Sequence, residues 1–309
     1  MNVLTGPHDG WPRPAQPTAV AVGVFDGVHL GHLALLGALA ETGAPVAVVT
    51  FDPHPLVVIA PDQAPRLLCP LSERIDRLAA AGVDTVAVVS FDHTIRQLSA
   101  NDFVVDLLVG ALRPATIAAG LDFRFGKDRV GDLALLESLG SSHGFRVLRV
   151  DLVGEGGGIS SSRIRESLGA GEIVTAAEML GRDFDVTGLV VRGEGRGATV
   201  GFPTANLALP PELMLPGRGV YAVRATVDGE MYDGVANIGV RPTFGDDEKV
   251  DVLEVHLLDR SLDLYDKTMS VAFVARLRAE QRFDGVEALR SQIAIDVDAA
   301  RTALAARTP

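Results

Sequence analysis

Residues 19–41 read AVAVGVFDGVHLGHLALLGALAE, an apolar β-rich run followed by a glycine-rich turn and a segment with helical spacing. A strand that passes through such a turn into a helix is the opening of a βαβ unit. Further β-rich apolar runs occupy residues 45–51, 84–91, 115–123 and 145–153. Because helix-period segments separate these runs, the sequence predicts a parallel, Rossmann-like sheet covered by helices.

Two of the intervening segments illustrate the helical pattern. LSERIDRLAAAG at 71–82 and SANDFVVDLLVGAL at 99–112 place apolar residues at i, i+3 and i+4. Ser99, with Asp102 three residues later, resembles a capping box and predicts that a helix begins there.

The pattern changes after Gly181 to strands joined by turns. Apolar alternation predicts strands at 183–193, 219–227, 230–239, 250–259 and 267–277, with Asp228-Gly229 as a hairpin turn. This half is typical of an antiparallel barrel, followed by an amphipathic helix from about Asp284 to Ala306. With 309 residues the chain can bury two cores, and we predict domains at 1–181 and 182–309.

Composition narrows the class of protein. The net charge of −12 lacks the basic excess that nucleic acids or anionic membranes attract, so we expect neither as a partner. Cys69 is the only cysteine, which excludes an internal disulfide and a thiolate zinc cluster and suits a reducing compartment. No segment has the pattern of a signal peptide or a membrane span, and we expect a soluble, cytoplasmic protein.

The first candidate site lies in the turn of the opening stretch. This turn has neither GxGxxG nor GxxxxGK[ST], so it is neither a dinucleotide fingerprint nor a Walker loop. His29 and His32 are three residues apart and project from one face of the first helical turn, where free N–H groups favour anions. Imidazole N–H groups there can stabilise charge on a phosphoryl group.

Two other interpretations of the histidines stay open at this point. They could simply cap the helix or titrate on the surface. A zinc site that adds His54 is a weaker alternative, because no acidic or thiol ligand accompanies the three imidazoles.

The segment ISSSRIR at 159–165 combines hydroxyls, a helix start and two guanidinium groups. Together these groups can neutralise the charge of a triphosphate. A serine-capped amphipathic helix with exposed arginines is the alternative.

The second candidate site is the glycine-rich loop that leads into GFPTAN at 201–206. Gly193, Gly197 and Gly201 would allow phosphates to approach the backbone closely, and Arg196 would add positive charge. The neutral oxygens of Thr204 and Asn206 suit Mg²⁺ carried by nucleotide phosphates rather than a free-standing metal cage. The alternative is a barrel hairpin with a glycine-rich flap.

These motifs resemble those of a known family. GVFDGVHLGH is similar to the HxGH signature of nucleotidyltransferases and to bacterial FAD synthetases in particular, and TFDPHP, GLDFRFG and ISSSRIR agree with it. GFPTAN resembles the riboflavin kinase signature, and NIGVRPTFG at 237–245 resembles a second segment of that enzyme. The motifs occur in family order from Val20 to Arg301.

The resemblance implies two reactions: ATP phosphorylates riboflavin to FMN in the C-terminal domain, and ATP then adenylylates FMN to FAD in the N-terminal domain. It implies His29 and His32 as catalytic residues of the second reaction and Glu254 as general base of the first. ATP binding at the adenylyltransferase site falls to Gly23, Phe25, Asp26, Gly31, Ser160, Ser161, Ser162, Arg163 and Arg165. Flavin binding there falls to Phe51, His54, Asp122, Phe123 and Phe125.

The kinase phosphate loop would consist of Gly193, Arg196, Gly197 and Gly201, with Thr204 and Asn206 holding Mg²⁺. We expect no tightly bound zinc. Two other hypotheses remain: an enzyme that retains only one activity, or a flavin-sensing regulator. Glu254 and Thr204 argue against a sensor, which needs neither a base nor a metal ligand.

Overall fold

The computed structural model describes residues 1–151, 153–154, 158–193, 196–199, 201–242, 249–260 and 262–307. Contacts within the chain divide it into two compact units, Met1–Ser161 and Ser162–Pro309. Each unit contains its own sheet. The domain boundary at residue 181, which the sequence suggests, stays a prediction.

The first unit is a six-stranded parallel sheet in the order β1-β4-β3-β2-β5-β6. Its strands are β1 (Asn2–Leu4), β2 (Thr18–Val22), β3 (Val46–Asp52), β4 (Thr85–Ser90), β5 (Pro114–Gly120) and β6 (Arg146–Val150). Its helices are α1 (Leu30–Ala40), α2 (Pro55–Ile59), α3 (Leu71–Ala80), α4 (His93–Gln97), α5 (Ala100–Asp102) and α6 (Leu133–His143). The predicted α/β class is confirmed.

Both faces of this sheet are covered, which explains why its strands are apolar without interruption. Successive residues of a strand point to opposite faces, so Val48 and Val49 belong to two different hydrophobic clusters. The order of the strands reverses direction between β2 and β5. Ligands of open α/β sheets bind at such a switch point, outside the carboxyl ends of the strands. The loops that follow Val22 and Gly120 lie at that place.

The second unit contains a closed antiparallel barrel in the order β10-β11-β8-β7-β12-β9, which closes through pairing of β9 with β10. Its strands are β7 (Phe184–Val191), β8 (Ala205–Ala208), β9 (Gly219–Val227), β10 (Glu230–Pro242), β11 (Lys249–Leu257) and β12 (Thr268–Arg278). Its helices are α7 (Ser161–Ala170), α8 (Ile173–Leu180), α9 (Arg196–Thr199) and α10 (Val286–Ala306). The predicted barrel and terminal helix are confirmed.

The Asp228-Gly229 turn joins β9 to β10 as predicted. Both residues have positive φ, 53° and 82°, which is the conformation of a two-residue hairpin turn that matches strand twist. The terminal helix covers the barrel from outside: Val297, Ala300 and Leu304 pack on Val220 and Val274.

Three features of the fold differ from the sequence-based expectation. Residues Asn2–Leu4 add a strand beside β4, and Ala205–Ala208 form a strand where a turn was expected. The helix predicted at 99–112 is wound as a π-helix over Phe103–Gly110. Its buried residues, Phe103, Val104, Leu107 and Leu108, belong to one hydrophobic cluster of the first unit.

No helix among the described ranges has both the length and the hydropathy that crossing a membrane would require.

A buried ion pair fastens α10 to the end of β12. The Arg278 Nη2 and Nε atoms donate to Asp296 Oδ2 and Oδ1 at 2.8 and 2.9 Å, and Gln292 Nε2 also donates to Oδ1 at 2.9 Å. Asp296 is only 4% exposed, so removal of its carboxylate would leave the guanidinium without its partner.

We therefore expect Asp296→Ala to lower the free energy of unfolding by about 3–5 kcal/mol, measured by urea denaturation of the full chain. Asp298→Ala is the matched control on the same helix: its carboxylate is 80% exposed and pairs with Arg301 at 3.5 Å, so we expect a change within about 0.5 kcal/mol. Equal losses in the two variants would contradict this account.

Candidate active sites

The loop at 23–29 joins β2 to α1 and holds an unusual backbone conformation. Phe25 and Val28 have positive φ values of 55° and 41°, and Gly27 lies between them at 78°. Non-glycine residues rarely adopt this region, because Cβ approaches the following carbonyl oxygen. Such backbone strain persists only where the surrounding structure enforces it, and it concentrates at functional sites.

His29 and His32 form reciprocal hydrogen bonds at the start of α1. The backbone N–H of His32 donates to His29 Nδ1, and the backbone N–H of His29 donates to His32 Nδ1, both at 3.3 Å. The two rings stack with their centroids 3.6 Å apart. Since both Nδ1 atoms accept, each neutral ring carries its proton on Nε2, and the pair therefore presents two N–H donors.

Burial and nearby positive charge keep His32 neutral. Its pKa lies well below the ordinary histidine value, first because the half-buried ring is desolvated and then because His29 and Arg74 repel the imidazolium form. The ring also contacts Phe25, with centroids 4.7 Å apart. His29 and His32 thus cap α1, which is one of the roles that the sequence left open, and they also lie at the predicted helix start.

The predicted ATP-binding residues of this loop have different roles in the fold. The Asp26 carboxylate is buried and accepts from the backbone N–H groups of Leu68 and Cys69 at 3.0 and 3.3 Å. Ser161 Oγ donates to the Asp26 carbonyl oxygen at 3.0 Å. Asp26 therefore connects the histidine loop to residues 68–69 and to the serine segment.

Gly31 in α1 and Gly23 in the loop leave room for the side-chain rings of His29 and Phe25. A Cβ atom on Gly31 would lie 3.2 Å from the His29 ring and 3.3 Å from the Ile159 carbonyl oxygen. A Cβ atom on Gly23 would lie 3.3 Å from the Phe25 ring. Gly31 thus permits the serine segment to approach the histidine pair closely.

Of the predicted flavin-binding residues, only some keep an exposed surface. Phe51 and Phe125 are 8% and 4% exposed and pack in the hydrophobic core. Phe123 is half-buried and stacks on Phe125 with centroids 5.3 Å apart, and Asp122 beside it is exposed. His54 caps α2, where its Nδ1 accepts from the Leu56 N–H at 3.1 Å.

The remaining predicted residues of the serine segment continue into α7. Ser160 is half-buried just before this helix, and Ser162 is exposed on its first turn. Arg163 and Arg165 are half-buried on the same helix and fall within the second unit. Their assignment to ATP stays a prediction.

In the second unit the strand register aligns the predicted catalytic and metal-binding residues. Glu254 of β11 pairs directly with Asn206 of β8 on one side and with Asn237 of β10 on the other. Cross-strand partners point to the same face of a sheet, while their neighbours Leu253 and Val255 are buried in the barrel. Glu254 is half-buried within this polar row.

Asn206 has an unused acceptor. The residue is 6% exposed, and its Oδ1 atom has no hydrogen-bond partner within the described part of the chain. Buried polar atoms are normally satisfied, so an orphaned oxygen fits a ligand with positive charge. Thr204 is half-buried two residues earlier.

The glycines of the predicted phosphate loop fit around these two residues. A Cβ atom on Gly193 would lie 2.2 Å from Asn206 Nδ2, and one on Gly197 would lie 3.2 Å from Thr204 Oγ1. Gly201 has a φ of 91°. Arg196 begins α9, and its side chain lies outside the described part of the structure, as do residues 243–245 of the NIGVRPTFG segment.

A cavity of about 120 Å³ beside Thr204 was not predicted from the sequence. Its walls are mostly apolar, and they are formed by Val190, Pro203, Thr204, Ala205, Val255, Leu257, Arg260, Leu262, Leu264 and Tyr265. The guanidinium of Arg192 lies 4.6 Å from the centroid of the Tyr265 ring. Tyr265, which directly follows Leu262-Asp263-Leu264, is a sequence signal for this wall.

Within the described residues, no group of three or more His, Cys, Asp or Glu side chains is placed to hold a metal ion.

The lowered pKa of His32 gives a pH prediction. Between the ordinary histidine pKa of about 6.5 and the lower folded value, the unfolded chain binds a proton that the folded chain does not. Stability from this residue is therefore present above about pH 6.5 and is lost as the pH falls below it. We expect the His32 Cε1–H resonance, followed by NMR, to titrate below pH 6.5.

A His32→Asn variant lacks this titration and should lose less stability between pH 7 and pH 5 than the native chain. The difference in slope is at most about 1.4 kcal/mol per pH unit, which corresponds to one proton. A His32 midpoint at or above 6.5 would show that the ring is not held neutral.

Comparison with known proteins gives matches over nearly the whole chain. A family model described as FAD synthetase matches residues 12–163, and one described as riboflavin kinase matches residues 180–304. The bifunctional riboflavin kinase/FMN adenylyltransferase of Escherichia coli strain K12 is 42% identical over 307 residues, 97% of each chain. The protein of the same name from Bacillus subtilis strain 168 is 35% identical, over 95% of this chain and 94% of its own.

A crystal structure of a macrolide-efflux protein from Streptococcus pneumoniae is also similar, with a TM-score of 0.87 and 30% identity over 95% of this chain and 96% of its own. Its name describes efflux, whereas both family models and the curated relatives name flavin enzymes. Those matches span both units and contain both sets of motifs. The chain therefore belongs to the bifunctional riboflavin kinase/FMN adenylyltransferase family.

Proposed function

We propose that the two activities of this family act at two separate sites, with riboflavin, FMN and ATP as substrates and FAD as the final product. The barrel phosphorylates riboflavin, and the histidine loop of the first unit adenylylates the FMN that results. The reciprocal hydrogen bonds of His29 and His32 support the assignment of adenylylation to the first unit. The alignment of Glu254 with Asn206 supports the assignment of phosphorylation to the barrel.

In the adenylylation, an FMN phosphate oxygen attacks the α-phosphorus of ATP, and the bond to the pyrophosphate oxygen breaks. The Nε2–H groups of His29 and His32 donate to phosphate oxygens as charge builds up on the transferring group. Because backbone hydrogen bonds hold both rings in place, their donors need no reorganisation during the reaction. Phe123, supported from behind by Phe125, offers the flavin ring an aromatic surface.

In the phosphorylation, the Glu254 carboxylate takes the proton from the terminal ribityl hydroxyl, whose oxygen attacks the γ-phosphorus of ATP while the bond from that phosphorus to the oxygen of the leaving ADP breaks. Thr204 and Asn206 would hold Mg²⁺, and the buried, unpartnered Oδ1 of Asn206 fits that ligand. When bound, the ion neutralises charge on the phosphate oxygens. The apolar cavity beside Thr204, with Tyr265 in its wall, suits the base of the same nucleotide.

A cytoplasmic location accords with Cys69, which is buried and free of any disulfide, because a reducing compartment keeps thiols in that state.

The assignment of one reaction to each site is tested by separating products over time. With riboflavin, ATP and Mg²⁺, FMN should appear first and FAD after it. The double variant His29→Ala/His32→Ala should stop at FMN, with adenylylation reduced by about 10²-fold or more. Glu254→Ala should reduce FMN formation by about 10²–10⁴-fold while leaving adenylylation of supplied FMN unchanged. If each lesion slowed both reactions equally, the assignment would be wrong.

Gly193→Ala tests the magnesium site without removing a ligand. Its Cβ would lie 2.2 Å from Asn206 Nδ2, so the amide must move. We expect riboflavin phosphorylation to fall about tenfold or more and to require more Mg²⁺, with adenylylation unaffected. Gly169→Ala in the same unit, where the nearest atom is 3.8 Å away, is the control and should keep native activity. Native Mg²⁺ dependence in Gly193→Ala would refute this role.

A further inference from the structure

Arg74 is a charged residue buried completely inside the first unit. It lies on α3 with 1% of its surface exposed, and it is one of the largest fully buried side chains of the protein. Burial of a guanidinium is costly unless an opposite charge and hydrogen bonds compensate for the lost water.

The hydrogen bonds of Arg74 compensate only in part for the water that its guanidinium loses on burial. Arg74 Nη1 donates to Thr50 Oγ1 at 3.2 Å and to the Phe51 carbonyl oxygen at 3.1 Å, and both acceptors are neutral. The Nε atom has no hydrogen-bond partner within the described ranges, and no carboxylate there pairs with this guanidinium. The buried carboxylate of Asp26 instead accepts from the backbone of residues 68–69.

The partners of Arg74 lead directly to the histidine loop. Thr50 Oγ1, which accepts from Arg74, donates to the Val24 carbonyl oxygen at 2.8 Å. Val24 belongs to the strained turn between β2 and α1. Arg74 is also one of the charges that hold the pKa of His32 below its ordinary value. The guanidinium thus lies close to both the backbone and the imidazoles of the loop.

We propose that Arg74 is a positioning residue of the adenylyltransferase site, which fixes the histidine loop through Thr50 and supplies it with positive charge that the phosphates of ATP compensate. This inference rests on the proposed function of the first unit. A buried cation without a carboxylate partner is unfavourable in the free protein, but it favours the bound polyphosphate.

Three substitutions separate charge, hydrogen bonding and packing. Arg74→Met keeps an unbranched apolar side chain but removes the charge, and Arg74→Lys keeps the charge but removes the two-pronged donor. Thr50→Val removes the link to Val24 while Arg74 remains, with Thr50→Ser as its hydroxyl-bearing control. Arg77→Met is the control for α3, because Arg77 pairs with Glu73 at 2.8 Å on the same helix.

We expect Arg74→Met to lower kcat/KM for ATP in the adenylylation of supplied FMN by about tenfold or more. Riboflavin phosphorylation and the Arg77→Met variant should stay at native levels. NMR should show a higher pKa of His32 in Arg74→Met and a low one in Arg74→Lys, whose activity should be partly restored. Thr50→Val should lose activity and Thr50→Ser should retain it, which tests the link even if Arg74→Met does not fold.

Adenylylation within threefold of native in Arg74→Met would overturn the proposal. So would equal losses in Arg74→Met and Arg74→Lys with no change in the His32 titration, since this result would indicate packing alone. The histidine double variant distinguishes the two levels of inference. If it retains adenylylation, the assignment of the site fails; if it loses adenylylation while Arg74→Met does not, only the role of Arg74 fails.

Discussion

The hydrogen bonds between the backbone N–H groups and the Nδ1 atoms of His29 and His32 determine what the first unit can do. They satisfy two N–H groups that a helix start would otherwise leave unpaired, and they also fix the tautomer of both rings. The helix cap and the predicted catalytic pair are therefore one arrangement at this position. The strained backbone at Phe25 and Val28 lies directly before this cap.

In the second unit, strand register rather than a helix start brings the candidate site residues together. Asn206, Glu254 and Asn237 come from three strands that are far apart in the sequence, and pairing places them in one row across the barrel. A shift of one residue in β8 would turn Asn206 into the barrel and expose Ala205 in its place. The predicted base and the predicted metal ligand are thus aligned by the hydrogen bonds between β8 and β11.

The sequence was informative where a local pattern sufficed. The uninterrupted apolar strands, the Asp228-Gly229 turn and the helix after Asp284 each depend on neighbouring residues, and the structure confirms them. Strand β8 was missed because four residues next to a proline carry too little alternation, and its pairing with β7 and β11 is decided by tertiary contacts.

Among the candidate site residues, spacing correctly placed both histidines at the start of α1, but it could not distinguish a ligand-facing aromatic ring from a core one. Phe51, Phe123 and Phe125 look alike in the sequence, and only Phe123 keeps an exposed surface. The apolar cavity beside Thr204 combines residues from β7, β8, β11 and the loop that follows β11, so no single segment could reveal it.

Within the described residues, each unit has a buried polar atom without a hydrogen-bond partner near the place where phosphate is expected: Nε of Arg74 in the first and Oδ1 of Asn206 in the second. By contrast, the buried pair of Arg278 and Asp296, remote from either set of motifs, is fully hydrogen-bonded. Stability alone favours the second arrangement, because an orphaned buried group loses its bonds to water without replacement. In the functions proposed for the two units, the missing partner would arrive with the substrate: an anionic phosphate for Arg74 and a cation for Asn206.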